Sequence, residues 1–386
     1  MRPLEQAPHS ILICNIRLIG DVVLTTPLIK LLKEQYPQAC IDFLANRGTG
    51  EFLEKDPRIN KVHYSDKWRA GGRGLAVGYL AKILGRYDWA ICLNPSDRGT
   101  VATVLAGRSC RVGFYEENKP LGAFWRKLLL SRPLAYDEEQ HVVLSCGRIA
   151  EALGAPVHRL TVQIFWDDAD AAAVLTLLRG DARSGQGYAV VHPFARWQYK
   201  YWDIARFAEV NDYIGLRYGL LPVWTSSPDA EEKRLLVEAA ARCAIPPLVI
   251  PGQLSLNQMA CLLHGAKLYV GLDTAITHIA ASTGVPTVAL YGPTEIWRWH
   301  PWDNAAKPGV SLTSGYRGDF HSGNVSVLQA GCGYRPCIRP QCYHGGVENP
   351  CMMDLSVERV EREIDRFMRD AASNVSYANK DSLHAG

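Results

Sequence analysis

No stretch of about 18 consecutive apolar residues occurs in the 386-residue chain, so no membrane-spanning helix is expected. A dominant charge is missing as well: 42 Lys and Arg against 39 Asp and Glu leave a net +3. That excludes the strong field of a nucleic-acid binder, and any basic surface must be local. A dinucleotide fingerprint is lacking too. "GGRGLAVG" (Gly71–Gly78) imitates one, but its spacing is wrong and no strong apolar strand leads into it, which argues against a Rossmann dehydrogenase. No two of the 11 cysteines stand as C-x₂-C, the spacing that would make a zinc site a strong reading. Cys14, Cys92 and Cys261 fall within apparent strands and helices, the usage of reduced, buried thiols in a cytoplasmic protein. The opening "MRPLEQAPHS" does not lead into a signal-peptide core, so secretion is not expected. No short-period repeat is visible.

What is present is alternation. "ILICNI", "IDFLA", "KVHYS", "WAICLN" and "CRVGF" read as strands, separated by helical patterns such as "LIKLLKEQY" and "GYLAKILGRY". The order implies a parallel sheet covered by helices. A polar segment, "LRGDARSGQG", separates this half from a second alternating half with strands "YAVVHPF", "GLLPVWTSS", "PPLVIPG", "AKLYVGL" and "PTVALYG". The chain is too long for one comfortable core. The expected division is residues 1–180, 187–352, a terminal amphipathic helix at 353–371 and a disordered tail at 372–386. The fold class is α/β, with two Rossmann-like halves facing a cleft.

Two junctions attract chemistry. In "LYVGLDTAITHIAASTGVPTVALYGPT" a buried strand ends near Gly271 and a helix begins just after Asp273, Thr274 and Ala275. Small residues there let a ligand reach free backbone N–H groups, which suits a pyrophosphate. His278 lies one turn on and can donate to a phosphate oxygen. Asp273 as a mere cap and His278 as a satisfied core residue are the plainer readings, weakened by "GPT" (Gly292–Thr294) on the same sheet edge. At the other junction, "ILICNIRLIGDVVLTTPLIKLL", Asp21 stands where a strand gives way to a helix. It is either a helix cap or a catalytic base, and the two roles are compatible.

In order along the chain, "IGDVVLTTPLIKLLKEQYP", "VVHPFARWQYKYW", "GLDTAITHIAA" and "VALYGPT" resemble glycosyltransferase family 9, the ADP-heptose:lipopolysaccharide heptosyltransferases. "HP-x-x-RW-x-x-K-x-W" and the Cys-rich tail are most similar to the subgroup that adds a branching inner-core heptose. The resemblance implies a GT-B fold, with the acceptor on the N-terminal domain, the nucleotide sugar on the C-terminal one and a terminal helix crossing back to the first. It implies transfer of heptose from ADP-L-glycero-D-manno-heptose to the lipopolysaccharide inner core, with inversion and no required metal. The expected location is the cytoplasmic face of the inner membrane, held peripherally. The same chemistry with another nucleotide sugar or acceptor, or a degenerate sugar-nucleotide binder, stays open.

By the resemblance, Asp21 is the general base, kept ionised and intrinsically weak by the helix N-terminus, and Gly20 lets the acceptor approach the backbone. Lys200 meets the donor phosphates with Arg196 assisting, Glu231 or its neighbour Glu232 holds the donor ribose, and Asp273 holds the donor sugar. The two positions before Arg196 often carry hydroxyl residues in the family. Here they are Phe194 and Ala195, leaving backbone N–H groups or a weaker donor site.

"DKWRAGGRGLAVG" and "ENKPLGAFWRKLLLSR" are basic, aromatic and Gly-bearing. Arg69, Arg73, Lys119, Arg126 and Lys127 could engage acceptor anions, with Phe124 and Trp125 at a membrane interface; solvated loops are the plain alternative. Cys332, Cys337, Cys342 and Cys351, with His344 nearby, could hold a structural metal or pack as reduced thiols.

Overall fold

The computed structural model describes residues 6–65, 78–305, 312–329, 331 and 350–381, with side chains to 370. The chain divides into two compact units: Met1–Asp167 with Trp297–Gly315, and Asp168–Ile296 with Tyr316–Gly386. The first boundary precedes the helix Asp168–Arg179, which the sequence placed in the first domain. That helix packs on the second unit's helix Leu256–Gly265.

The first unit holds six strands, β1 (Ser10–Cys14), β2 (Cys40–Asn46), β3 (Lys61–Ser65), β4 (Tyr87–Cys92), β5 (Gly107–Tyr115) and β6 (Arg132–Ala135). They pair in parallel in the order β3-β2-β1-β4-β5-β6. Continuous apolar runs are what a sheet covered on both faces requires, and Ile11, Leu12, Ile13 and Cys14 are all fully buried.

The second unit continues with β7 (Tyr188–His192), β8 (Leu221–Ser226), β9 (Leu248–Pro251), β10 (Leu268–Leu272), β11 (Thr287–Tyr291), β12 (Phe320–Ser322) and β13 (Val325–Gln329). Its order is β12-β13-β11-β10-β7-β8-β9, with β12 antiparallel at the edge. Setting β12 aside, the six parallel strands repeat the topology of the first unit. Local chemistry fixes the joints. Asp203 caps the helix Ile204–Tyr218 by accepting from the Ala205 N–H at 2.9 Å, and Gly219 ends it at φ 63°, a left-handed position glycine takes at no steric cost.

The terminal helix departs from expectation twice. It runs from Val357 to Asp381, past the point where the sequence placed its end. Its apolar face, Val360, Ile364 and Phe367, is buried in the second unit's own core with Phe207 and Leu328, and Asp365 accepts from Tyr213 Oη at 2.5 Å. The described part of this helix therefore gives its apolar face to the second unit. The segment assigned back to the first unit is Trp297–Gly315.

Candidate active site

In both sheets the strand order reverses between two central strands, β1 and β4 in one, β7 and β10 in the other. The crevice beyond the carboxyl ends of such a pair is where open α/β sheets bind ligands. Both candidate centres lie there.

In the first unit a pocket of about 250 Å³ opens beyond β1 and β4. The loop after β1 supplies Asn15, Arg17 and Asp21; the loop after β4 supplies Leu93, Asn94, Pro95 and Ser96. Asp21 is not a cap. The helix Ile19–Val23 has Leu18 at its N-cap position and no side-chain cap bond, so Asp21 is its third residue and turns into the pocket. Its backbone is held firmly: the Asp21 carbonyl accepts from Asn15 Nδ2 at 3.0 Å and from Thr25 Oγ1 at 2.8 Å, while Asn94 Nδ2 donates to Asn15 Oδ1 at 2.9 Å.

Burial raises the Asp21 carboxyl above its ordinary value, outweighing the Arg17 guanidinium 3.3 Å away and backbone N–H groups that pull it down. The expected weak base is thereby corrected: desolvation dominates and makes Asp21 a stronger proton acceptor. A consequence is measurable. In Arg17→Ala the positive neighbour is gone, the carboxylate is less favoured, and the Asp21 carboxyl, followed by NMR titration, moves to higher pH. A titration that stays in place would show that Arg17 does not bias Asp21.

The remaining wall comes from Glu116, Lys119, Tyr136, Glu138 and, from the returning segment, Arg298 and Trp299. Arg298 Nη2 donates to Tyr136 Oη at 3.3 Å. Lys119 is where expected but pairs with Glu116 at 2.8 Å. Gly20 is not part of the wall, which Arg17, Asp21 and Leu24 form on that side. Arg126 is corrected outright: it is buried, and its Nη2 donates to Asp97 at 2.6 Å and to the Pro95 carbonyl at 2.8 Å. It anchors its helix to the pocket rim and offers no open cation. Arg69 and Arg73 lie outside the described residues.

In the second unit Lys200 and Asp273 form an ion pair across the switch point, their side chains 17% and 7% exposed. Thr294 Oγ1 donates to the same Asp273 oxygen at 2.5 Å, so "GPT" and "LDT" meet at one carboxylate. Asp273 does not cap the helix Ala275–Thr283, and neither does the N-cap residue Thr274 through its side chain. The first N–H groups of that helix, Ala275 onward, thus lack side-chain acceptors at the N-cap. Gly271 is required at the strand end, because a Cβ there would lie 2.2 Å from the Tyr269 hydroxyl.

His278 is buried beside this turn, with its Nδ1 unpaired among the described residues. Burial pushes it down to about 4, so it is neutral at pH 7. Arg196 is exposed and lies over the Trp197 ring at 5.2 Å. Glu231 is exposed and bridged to Arg234 at 2.6 Å, while Glu232 accepts from the Ser227 N–H at 3.0 Å. Phe194 and Ala195 are both buried in the unit's core, Phe194 against Tyr201. At these two positions apolar packing stands where the family often has hydroxyls. Cys351 is buried in the same core; Cys332, Cys337, Cys342 and His344 lie outside the described residues.

The sequence profile described as "Glycosyltransferase family 9 (heptosyltransferase)" matches residues 78–325. The chain belongs to glycosyltransferase family 9. Escherichia coli "Lipopolysaccharide heptosyltransferase 3" is 32% identical over 293 residues, covering 75% of this chain and 85% of its own length. Pseudomonas aeruginosa "Lipopolysaccharide heptosyltransferase 1" is 25% identical over 91% of this chain and 95% of its own. Among solved structures, a family 9 glycosyltransferase from Veillonella parvula superposes with a TM-score of 0.75 at 19% identity, covering 94% and 98% of the two chains. E. coli heptosyltransferase WaaC with ADP gives 0.69 at 19%, covering 93% and 99%. This family 9 glycosyltransferase has the GT-B fold.

Asn15, Arg17, Asn94, Glu116, Tyr136, Arg298 and Trp299 are among the pocket residues that the sequence did not single out, whereas Thr294 was named as the last residue of "GPT". Tyr136 and Arg298 lie 162 residues apart, and no local pattern joins them.

Proposed function

We propose that this enzyme transfers heptose from ADP-L-glycero-D-manno-heptose to a hydroxyl of the lipopolysaccharide inner core, inverting the anomeric centre in one displacement. The observation that carries it is the repeated switch point: one unit presents a half-buried carboxylate in a pocket, the other a cation beside a helix N-terminus. Asp21 accepts the acceptor proton as the new glycosidic bond forms, and desolvation suits it to that task. Lys200, the open helix N-terminus and the His278 N–H meet the charge that gathers on the departing ADP, so the reading needs no metal. Asp273, released from Lys200 when the diphosphate arrives, becomes available to the sugar hydroxyls.

The relatives named above, lipopolysaccharide heptosyltransferases, support this donor and acceptor. Among the described residues no helix is long and apolar enough to cross a membrane, and we place the enzyme peripherally, on the cytoplasmic face of the inner membrane. The test is mass spectrometry of inner-core oligosaccharide incubated with the enzyme and a panel of ADP- and UDP-sugars. One added heptose from ADP-heptose alone is expected. Addition from a different donor would replace the substrate, and ADP binding without transfer from any donor would favour a binding protein.

A further inference from the structure

The last residue of β13, Gln329, is buried, and both polar atoms of its side chain are engaged. Its Nε2 donates to the Gly292 carbonyl and to the Thr294 carbonyl, each at 3.0 Å, and its Oε1 accepts from the Gly318 N–H at 3.2 Å. An amide nitrogen carries two hydrogens, so one side chain holds the carbonyls on either side of Pro293. Pro293 brings no N–H of its own with which to brace the loop. Gln329 stands opposite Tyr291 in the parallel pair of β11 and β13, beside the point where this loop leaves its strand. Met352, fully buried, packs on the same loop: its Sδ would lie 2.7 Å from a Cβ at Gly292.

A second layer holds Gln329 in turn. Asp319 Oδ1 accepts from the Gln329 N–H at 2.9 Å, and Arg359 of the terminal helix donates through Nη2 to the two Asp319 oxygens at 2.8 and 2.9 Å. What the loop carries gives this bracing a use. Thr294 Oγ1 donates to Asp273 at 2.5 Å, and Asp273 is the carboxylate proposed above to meet the sugar hydroxyls. A threonine is stiff at χ1, so its hydroxyl lies where its backbone puts it. Holding the Thr294 carbonyl therefore holds the hydroxyl.

We infer that Gln329 is a positioning residue of the donor site: through the Gly292 and Thr294 carbonyls it aims the Thr294 hydroxyl, and with it Asp273, at the sugar of the nucleotide sugar. This deepens the proposed function and rests on it for the identity of the donor. Lys200 and the helix N-terminus meet the diphosphate without help from Gln329, so the sugar and not the nucleotide should register its loss.

The test is a double-mutant cycle on the full-length enzyme with Thr294→Val, Gln329→Met and the two combined. Methionine fills a similar space and donates no hydrogen bond. The donor is ADP-heptose, or whichever sugar of the panel above the wild type uses. Gln329→Met is expected to lower kcat/KM for the donor by roughly 10–10²-fold, as small misplacements of a site do. Its Kd for ADP should stay within about twofold of wild type. In the Thr294→Val background the same substitution should have little further effect, because the hydroxyl it aims is gone. Losses that multiply overturn the inference, since Gln329 would then act apart from Thr294. A lower melting temperature with unchanged kcat/KM overturns it as well, as does an equal weakening of ADP and donor. Should Gln329→Met not fold, Gln329→Asn runs the same cycle, its amide one methylene short of the two carbonyls. Failure of the proposed reaction reads differently. A wild type that transfers from no donor, yet binds ADP-heptose more tightly than ADP by a margin that Gln329→Met erases, sinks the transfer and keeps the positioning. Without transfer and without that margin, both fall.

Discussion

Asp21→Asn lowers turnover by roughly 10²–10⁴-fold, the usual contribution of a general base, while leaving the protein folded and able to bind ADP. The amide matches the carboxylate in shape and keeps the helix Ile19–Val23 intact, because the bonds that hold this turn go to the Asp21 backbone carbonyl. The bond to Arg17 that is lost involves a half-exposed guanidinium and is worth little to stability. The sign of the stability change follows from the raised carboxyl. A group that binds its proton more tightly in the folded state stabilises the fold at low pH, and that contribution is lost as pH rises through the folded value. At pH 7 the ionised Asp21 therefore weighs against folding, and the neutral amide should melt at an equal or higher temperature. Transfer rate, ADP affinity and melting temperature measured together make the check. Near-normal transfer by a correctly folded variant would remove Asp21 from the reaction.

Lys200→Ala acts on the other unit in two ways. The cation proposed to face the leaving diphosphate is gone, which should lower turnover by about 10²–10³-fold, as the loss of one transition-state-stabilising donor does elsewhere, and weaken ADP binding. Asp273, 7% exposed at its side chain, keeps the Thr294 hydroxyl but loses its counter-charge. Stranding a largely buried carboxylate should cost about 1–3 kcal/mol, read as a lower melting temperature. The double variant Lys200→Ala, Asp273→Asn separates the two effects, since neutralising the stranded acid restores stability without restoring turnover. If the double variant regained activity as well as stability, Lys200 would be a structural partner of Asp273 only. Lys200→Arg keeps a charge but spreads it over a wider planar group, and should recover ADP affinity better than rate.

The parts of this protein legible in its sequence are those set by local chemistry. The ten quoted strands are short apolar runs bounded by turn residues, and each forms part of a sheet. β6, β12 and β13 went unread because Arg132–Ala135 and Phe320–Ser322 are short edge pieces, half-buried or exposed, while Val325–Gln329 follows no helical alternation. Asp21 and Asp273 were legible because each stands where an apolar strand gives way to a helix, and Lys200 through the family motif that follows the strand "YAVVHP". Their energetics were not. Position at a helix start argued for a weak Asp21, whereas desolvation, a property of the assembled pocket, raises it. Arg126 looked like any surface cation in a basic stretch; only the fold brings Pro95 and Asp97 to it. Phe194 and Ala195 looked like missing phosphate ligands and are core residues.

The returning segment Trp297–Gly315 has a consequence for the order of events on the ribosome. His141 Nε2 donates to the His300 carbonyl at 2.9 Å, Trp302 Nε1 to the Leu160 carbonyl at 2.9 Å, and Asn304 pairs with both backbone groups of Val162. Each of these seams closes residues made early in synthesis with residues made some 140–160 positions later. A nascent chain that has emerged as far as Asp167 has all six strands of the first sheet, yet lacks this seam and the Arg298–Trp299 wall of the pocket. The full set of contacts that closes the N-terminal unit can therefore form only after most of its neighbour has been translated, a departure from the simplest vectorial order.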